Sequence, residues 1–455
     1  MPNLKKTPNV LILQPQIKAK MNLKKGDKKL IGAWAFYDWA NSVYSLVIGT
    51  AIFPIYYNSI TGGNEASVSF LGRDFNNATL YTYALSFSFF AVVVLSPILS
   101  SIADTMGNKK RFMQFFCLLG SGAVSALFFF KGVDTLWVGI VFMVLASIGF
   151  WGSLVFYNAY LTEVAYPEDH DQVSAKGFIM GYLGSVILLM MSLVLQMKPE
   201  LFGISDATLP ARISFLMVGV WWFVFAQYTF KYLPKNTFGR KPSKDFIFKG
   251  FQELATVWKE LKTQRELKLF LTAFFLLSVG VQTIILIASL FGDKELGLGT
   301  EKLIITILLI QLVAILGAYL FSKLSFKIGN IKTLKITIFG WGLITVGAYM
   351  LEKENPHVSY QFYALGGLLG LVLGAIQSLS RSTYSKLIPE TTKDNTTYFS
   401  FYDVTEKVAI VLGTFITGFV ITLTGSMKAS VFILALFFFA AFVVLSFLKK
   451  TKYVS

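Results

Sequence analysis

An ionisable residue, Asp38, lies near the start of a long apolar segment that runs from Ala35 to Tyr57. A carboxylate near the centre of a membrane span costs about 2.5–3.5 kcal/mol, so such a group normally faces a cavity or a charged partner. At about 100° per residue, one arc of this helix carries the polar residues Tyr37, Asp38, Asn41, Ser42, Tyr44 and Ser45. The arc predicts a surface that faces water or a ligand, where Asp38 either binds and releases a proton or pairs permanently with a cation.

A second polar stripe follows Gly366, Gly370 and Gly374 at helical spacing and ends in Gln377 and Arg381. Both side chains offer hydrogen-bond donors to an anionic or zwitterionic solute. In the alternative interpretation the glycines form a packing seam, and Arg381 extends its head to the nearby membrane surface.

Three charges cluster in a later apolar segment. Asp403 and Lys407 stand four residues apart, which predicts a self-neutralised pair on one helix face. Glu406 is then the odd charge, and it is a candidate to bind Arg381, Lys407 or a proton. Two uncharged polar residues, Asn158 and Gln282, also lie in apolar segments and are either cavity residues or hydrogen-bonding contacts between helices.

The elements that must position these residues are membrane spans. The chain of 455 residues is 55% hydrophobic and only 15% charged. With about 20 apolar residues per crossing, it predicts an all-α membrane protein with twelve transmembrane helices in two six-helix bundles. The predicted spans are 31–57, 79–103, 112–131, 135–160, 177–197, 212–233, 269–291, 302–324, 332–351, 360–385, 399–424 and 429–448.

The predicted domains follow from these spans. Residues 1–30 read as a disordered basic tail in which translation starts at Met1 or Met21, and 449–455 as a second tail. The bundles occupy 31–233 and 269–448. The linker 234–268 contains an amphipathic pattern, which predicts a helix on the inner leaflet or, alternatively, a solvated helix. Most of the 41 Lys and Arg lie on the side of the termini and the linker, which predicts that these face the cytoplasm in a cell (inner) membrane protein.

Composition excludes several classes of function. Cys117 is the only cysteine, so the sequence offers no disulfide framework or thiolate cluster. The two histidines, His170 and His357, are placed in loops. No P-loop is present, and the formal charge of +16 resides between apolar segments rather than in a nucleic-acid module. We expect no catalytic residues, no metal and no cofactor, and therefore no enzyme.

The loop after the second span contains Asp104, Gly107, Lys109, Lys110 and Arg111. It resembles the Gly-x-x-x-Asp-x-x-Gly-Arg-Lys signature of the major facilitator superfamily, which implies a gating loop that joins the two bundles in one state. The corresponding loop of the second half, 322–332, has Phe326 where the acid is expected. The acidic stretch Glu163, Glu168, Asp169 and Asp171 reads as a solvated face, with Glu163 able to pair with the bases at 109–111.

A narrower resemblance follows from Tyr-Asp-Trp-Ala-Asn-Ser at 37–42, Asn-Ala-Tyr-Leu at 158–161 and Gln-Ser-Leu-Ser-Arg-Ser at 377–382. These blocks are similar to the vacuole-effluxer-like branch of the superfamily, which includes fungal vacuolar proteins implicated in amino-acid efflux. The resemblance implies a secondary transporter with a central cavity and alternating access. Val279, where an acid is expected before the Gly-x-Gln-Thr element, departs from the pattern.

We therefore expect a monomeric transporter, embedded in membrane lipids, whose partner is a small solute such as an amino acid or related zwitterion. Asp38 is the first candidate for proton coupling. One alternative is efflux of an amphiphilic drug or lysolipid. An alternative of another class is a receptor or sensor that binds a ligand without transporting it.

Overall fold

A computed structural model describes residues 23–63, 66–235, 245–390, 392, 394–449, 451 and 453–454. Most of the predicted basic tail, including Met1 and Met21, lies outside these ranges, as do parts of the linker and of the second tail. The first span begins at Lys28, where the Asp27 carboxylate accepts hydrogen bonds from two backbone N–H groups of the first turn. A side-chain acceptor at this position satisfies amides that have no partner within the helix.

The first half of the chain is helical apart from one hairpin. Its first span is an α-helix that passes through π-helical turns at Tyr44–Ile52 and continues as a second α-helix. The helices are α1 (Lys28–Val43), α2 (Phe53–Ile60), α3 (Asn77–Met106), α4 (Lys109–Ala126), α5 (Leu136–Ala159), α6 (Leu161–Val164), α7 (His170–Met197) and α8 (Leu209–Tyr232).

The second half follows a separate linker helix, α9 (Phe246–Thr263). Its helices are α10 (Arg265–Leu290), α11 (Thr300–Ile328), α12 (Asn330–Tyr349), α13 (Val358–Leu387), α14 (Asn395–Thr424) and α15 (Met427–Ser446). Within the described residues, twelve helical segments are long and apolar enough to cross a membrane. The expectation of an all-α protein with twelve spans is therefore confirmed.

The predicted boundaries agree with these helices except at the fifth span. We placed its start at residue 177, whereas the helical segment begins at Pro167 and α7 at His170. The charged residues in this extension suggested a loop. In the folded chain His170 and Asp171 are buried, and Asp171 contacts the other half, so the helix begins before the apolar stretch.

A short hairpin lies between the first two spans, and the sequence analysis placed no element there. Strands β1 (Ser67–Phe70) and β2 (Arg73–Asn76) pair antiparallel. The two-residue turn, Leu71 and Gly72, has positive φ at both positions, 52° and 74°. This conformation matches the twist of a tight hairpin.

The glycines of α13 form a packing seam, which was the alternative interpretation of this stripe. A Cβ on Gly370 or Gly374 would collide with the α11 backbone at Ile310 or Ala314, and one on Gly366 would meet Thr306. Small residues let two membrane helices approach closely. The seam fixes α13, and with it Gln377 and Arg381, against its neighbour.

Candidate functional site

An ion pair joins the two halves of the protein. Arg381 of α13 extends into the first half, where its Nη1 lies 3.4 Å from Asp38 Oδ2. The Tyr157 hydroxyl donates to the same oxygen at 2.7 Å. The guanidinium also donates to the side chain and backbone oxygens of Ser174 (2.9 and 2.8 Å) and to Asn158 Oδ1 (3.2 Å). One cation of the second half is thus held by three helices of the first.

Aromatic rings complete the enclosure of this pair. The guanidinium carbon lies 5.0 Å from the centroid of the Trp34 ring and 4.2 Å from that of Phe178. Only 3% of the Arg381 side chain and 6% of that of Asp38 are exposed. Each charge in this environment needs its partner, because an isolated buried charge is strongly unfavourable.

Above this pair a cavity of about 260 Å³ separates the two halves. Asp38 and Arg381 lie on its linker side, and Thr50, Ser289 and Leu369 line it toward the remote helix ends. Six of the predicted site residues line the cavity, namely Asp38, Asn158, Gln282, Gln377, Arg381 and Glu406. The site is therefore assembled from both halves.

Tyr37, Asn41 and Tyr44 are placed elsewhere. All three are buried inside the first half and are not among the residues that line the cavity. The Tyr44 ring packs at 5.0 Å from Phe150 and 6.0 Å from Trp222. Asp38, Ser42 and Ser45 of the predicted arc do line the cavity. Tyr37 precedes the π-helical turns and is covered by Tyr157 and Phe230. From Tyr44 onward the π-helical turns alter the helical period, so an arc drawn at a constant 100° does not continue through them.

The charges of α14 form a second network, also at the linker-side end of the cavity, which we call the cavity floor. Lys407 Nζ lies 2.9 Å from Asp403 Oδ1 and 2.8 Å from Glu406 Oε2. The predicted pair of Asp403 and Lys407 is confirmed, and Glu406 is a further partner of Lys407. Gln282 Nε2 of α10 donates to Glu406 Oε1 at 2.7 Å. Lys407 itself does not line the cavity, whereas Glu406 does.

A direct hydrogen bond between the halves also crosses the cavity wall. The Tyr182 hydroxyl of α7 donates to Gln377 Oε1 of α13 at 2.6 Å. A ligand that bound the Gln377 amide would compete with this bond. The contact therefore joins the two halves at the cavity wall.

The predicted gating loop contacts the second half on the linker side of the bundle. Asp104 accepts hydrogen bonds from the backbone N–H groups of Thr396 and Thr397, at 3.3 and 2.8 Å, and so caps the N-terminus of α14 in the other half. Gly107 ends α3 with a positive φ of 66°, which glycine adopts without strain. A carboxylate at a helix N-terminus is stabilised by the exposed amides and by the helix dipole.

The bases of this loop have different environments. Lys109 forms an ion pair with Glu163, which confirms the predicted pairing. Lys110 Nζ donates to the backbone oxygen of Leu233 at 2.8 Å. Arg111 is exposed. The first two bases thus join α4 to the segments after α5 and α8.

A second contact on the linker side was missed by the sequence analysis. Asp171, which we assigned to a solvated face, is 4% exposed. Its carboxylate lies 2.8 Å from Lys386 Nζ and accepts hydrogen bonds from Ser325 and Asn330, each at 2.8 Å. The loop of the second half, which has Phe326 in place of an acid, thus receives its acid from α7. The neighbouring His170, also placed in a loop by sequence, is buried as the first residue of α7.

The linker helix α9 packs over this closed side. Val257 and Leu261 are buried, and Trp258 stacks on Phe401 of α14 at 5.6 Å between ring centroids. The Tyr398 hydroxyl donates to Glu260 Oε2 at 2.7 Å. The helix is therefore docked on the protein along one face rather than solvated on all sides.

An acidic contact accompanies this docking. Burial, followed by a hydrogen bond and charge repulsion from Asp394, raises the pKa of Glu253 to about 7. Asp104 and Glu260 add further repulsion. The docked position of α9 therefore favours a protonated Glu253.

The chain is similar to known membrane proteins along almost its whole length. Residues 26–453 match the sequence model of the vacuole effluxer Atg22-like family. The chain is 31% identical to the uncharacterized MFS-type transporter YxiO of Bacillus subtilis (strain 168), over 92% of this chain and 94% of that protein. It is 25% identical to autophagy-related protein 22-1 of Penicillium rubens, over 85% and 78% of the two chains.

The fold is similar to that of FucP, a fucose:proton symporter of E. coli. The crystal structure of FucP in the outward conformation superposes with a TM-score of 0.66, over 93% of this chain and 98% of that one. The sequences are 14% identical, so this likeness concerns the major facilitator fold.

Proposed function

Because the chain belongs to the vacuole effluxer Atg22-like family and is a transporter of the major facilitator type, we propose that it carries an amino acid or related zwitterion by alternating access. The observation that supports this solute is the buried pair of Asp38 and Arg381, which joins the two halves at the cavity floor. Separation of the halves must break this pair. A zwitterion supplies a carboxylate for Arg381 and an ammonium group for Asp38, so neither charge is left without a partner.

The size of the cavity supports a small solute over an amphiphilic drug or lysolipid. Its volume of about 260 Å³ falls below the range of about 300–1,000 Å³ that is usual for drug-sized ligands. Gln282 and Gln377 add amide groups to the wall. The remaining lining is largely apolar, which suits the side chain of a neutral amino acid.

Alternating access requires that the linker side open when the other side closes. In this conformation Asp104 and Asp171 hold the linker side shut through contacts between the halves. We propose that the carboxylate of the solute replaces Asp38 as the partner of Arg381. This exchange weakens the central contact between the halves. The two linker-side contacts then separate, and the cavity becomes accessible from that side.

The solute assignment is tested by ligand screening on the purified protein. A ligand that binds the folded state at 100 times its Kd stabilises it by about 2.7 kcal/mol. We expect neutral amino acids to raise the melting temperature of the wild-type protein but not that of Arg381→Met. Counterflow in proteoliposomes then shows whether the bound solute moves. If no amino acid binds, the solute proposal is wrong; binding without counterflow would instead favour a receptor.

We further propose that accumulation of the solute is coupled to protons, as it is in the fucose:proton symporter FucP, which shares the fold. Asp38→Asn separates the two roles of this residue. If Asp38 carries the proton, the variant loses proton-driven accumulation but still exchanges solute at equal concentrations. If Asp38 serves only as the partner of Arg381, both activities fall together with thermal stability.

We propose that the linker and both termini face the cytoplasm of a cell membrane, because the Lys and Arg residues concentrate on that side. Exposed positions allow a direct test, since Ser67 lies in the hairpin and Thr256 in α9. Single cysteines at these positions, in a Cys117→Ser background, should react with an impermeant reagent from opposite sides of the membrane. Reaction from the same side would contradict the orientation.

A further inference from the structure

The floor of the cavity carries one carboxylate more than its cations can neutralise. Among the described residues that line the cavity or contact its charged groups, the carboxylates are Asp38, Asp403 and Glu406, and the cations are Arg381 and Lys407. Asp38 is paired with Arg381. The excess negative charge therefore lies with the α14 cluster of Asp403, Glu406 and Lys407.

The hydrogen bonds within the α14 cluster show which carboxylate oxygen lacks a donor. Both oxygens of Glu406 accept a bond, from Gln282 and from Lys407. Asp403 Oδ1 accepts one from Lys407, whereas Oδ2 is buried and has no hydrogen-bond partner in the part of the chain that the structure describes. A buried anionic oxygen without a donor is costly, and a proton is the smallest group that removes its charge.

The surroundings of the α14 cluster favour a proton over a larger cation. Lys407 is fully buried, and Asp403 is 4% exposed. Within the described ranges, no group of three or more His, Cys, Asp or Glu side chains could hold a metal ion. Glu406 is the member that reaches the cavity, with 18% of its side chain exposed. The groups that face it from other elements are Gln282 of α10 and, through Lys407, Trp151 of α5.

Lys407 also connects the cluster to the other half of the protein. Its Nζ lies 3.6 Å from the centroid of the Trp151 ring, on α5 of the first half. A cation over an indole ring is attracted by the ring face. A change in the charge of either carboxylate alters the pull on Lys407, and therefore this contact between the halves.

We propose that Asp403, Glu406 and Lys407 form the proton site of the transport cycle, an inference that rests on the proton-coupled transport proposed above. A hydronium ion in the cavity gives its proton to a Glu406 oxygen, where an O–H bond forms and water is left behind. Lys407 then pairs with Asp403 alone, and the cluster becomes neutral. When the proton then moves from Glu406 to Asp403, Glu406 is ionised again and Lys407 pairs with it.

Infrared difference spectroscopy of the purified full-length protein between acid and alkaline pH tests this assignment without a solute or a gradient. A protonated carboxyl group gives a C=O band that an ionised one lacks. We expect one component of the wild-type band to be lost or shifted in Asp403→Asn or Glu406→Gln and to persist in Asp38→Asn, the matched change at the other cavity carboxylate; the components of the remaining carboxyl groups, Glu253 among them, are common to all the spectra. Glu406→Gln is the conservative variant, because an amide retains a hydrogen-bonding partner for Gln282.

The other outcomes would overturn the proposal. These are a carboxyl band that is identical in the wild type and in both α14 variants, and a component of the band that is lost only in Asp38→Asn. Because the spectra do not depend on transport, a failure to move amino acids would not change this result. The two proposals therefore fail separately.

Discussion

The contact between Asp171 and Lys386 predicts how strongly one buried ion pair controls the conformation of the protein. The two side chains are 5% exposed each and lie 2.8 Å apart on opposite halves. When the linker side opens, both become hydrated, so the pair stabilises only the closed arrangement. Removal of one partner of a buried pair costs about 3–5 kcal/mol. Asp171→Asn retains the shape of the residue, and we therefore expect the lower end of this range.

A change of about 3 kcal/mol alters the equilibrium between the two arrangements about 150-fold. If the wild-type closed state is favoured by a few kcal/mol, as is usual for such two-state equilibria, the variant populates both states comparably. The labelling rate of a cysteine in the cavity then falls by about half. Ser289 is a suitable position, because it lines the cavity near the end of α10 that is remote from the linker.

The assay compares Ser289→Cys labelling in a Cys117→Ser background with and without Asp171→Asn. The matched control is Asp169→Asn, which removes the same charge from an exposed position two residues away. Lys386→Met should act like Asp171→Asn, and the double variant should be less perturbed than the sum of the two, because no charge is left unpaired. Labelling that is equal in Asp171→Asn and in Asp169→Asn, at unchanged melting temperature, would refute the reasoning.

Three more predictions follow from the described contacts. Asp104→Asn removes the charged cap of α14. It should lower the turnover number in proteoliposomes while the affinity for solute stays within a few-fold. If turnover is unchanged, the loop serves only to set the membrane topology. A Cβ on Gly177 would stand 2.9 Å from Arg381 Nη2. Gly177→Ala should therefore weaken solute binding and lower the melting temperature. An affinity equal to that of the wild type would show that the pair of Asp38 and Arg381 tolerates displacement. Because the pKa of Glu253 is raised from 4.5 to about 7 in the docked helix, docking of α9 should weaken as pH rises between these values. Amide hydrogen exchange in α9, corrected for its intrinsic pH dependence, measures the strength of docking. Glu253→Gln should remove the pH dependence of docking. If the corrected pH profiles of wild type and variant are identical, Glu253 is not the origin of the pH dependence.

Several features of the protein were determined by the sequence alone. Apolar segments of membrane length predict helices wherever they occur, because the bilayer leaves no other partner for backbone N–H and C=O groups. The same locality explains the pair of Asp403 and Lys407, since residues four apart on a helix are neighbours in any fold. Asp104 was identified by a short loop signature.

Tertiary structure decided which polar residues meet. Asp38 and Arg381 are separated by most of the chain, and only the packing of the two halves brings them to 3.4 Å. Asp171 looked solvated because charged residues in a short acidic stretch usually are, yet Lys386 and Asn330 from the other half enclose it. Tyr37, Asn41 and Tyr44 share a helix arc with Asp38, but the neighbouring helices cover them. A helical period fixes which side chains share a face, whereas the neighbours that pack on that face decide whether it meets the cavity, another helix or lipid.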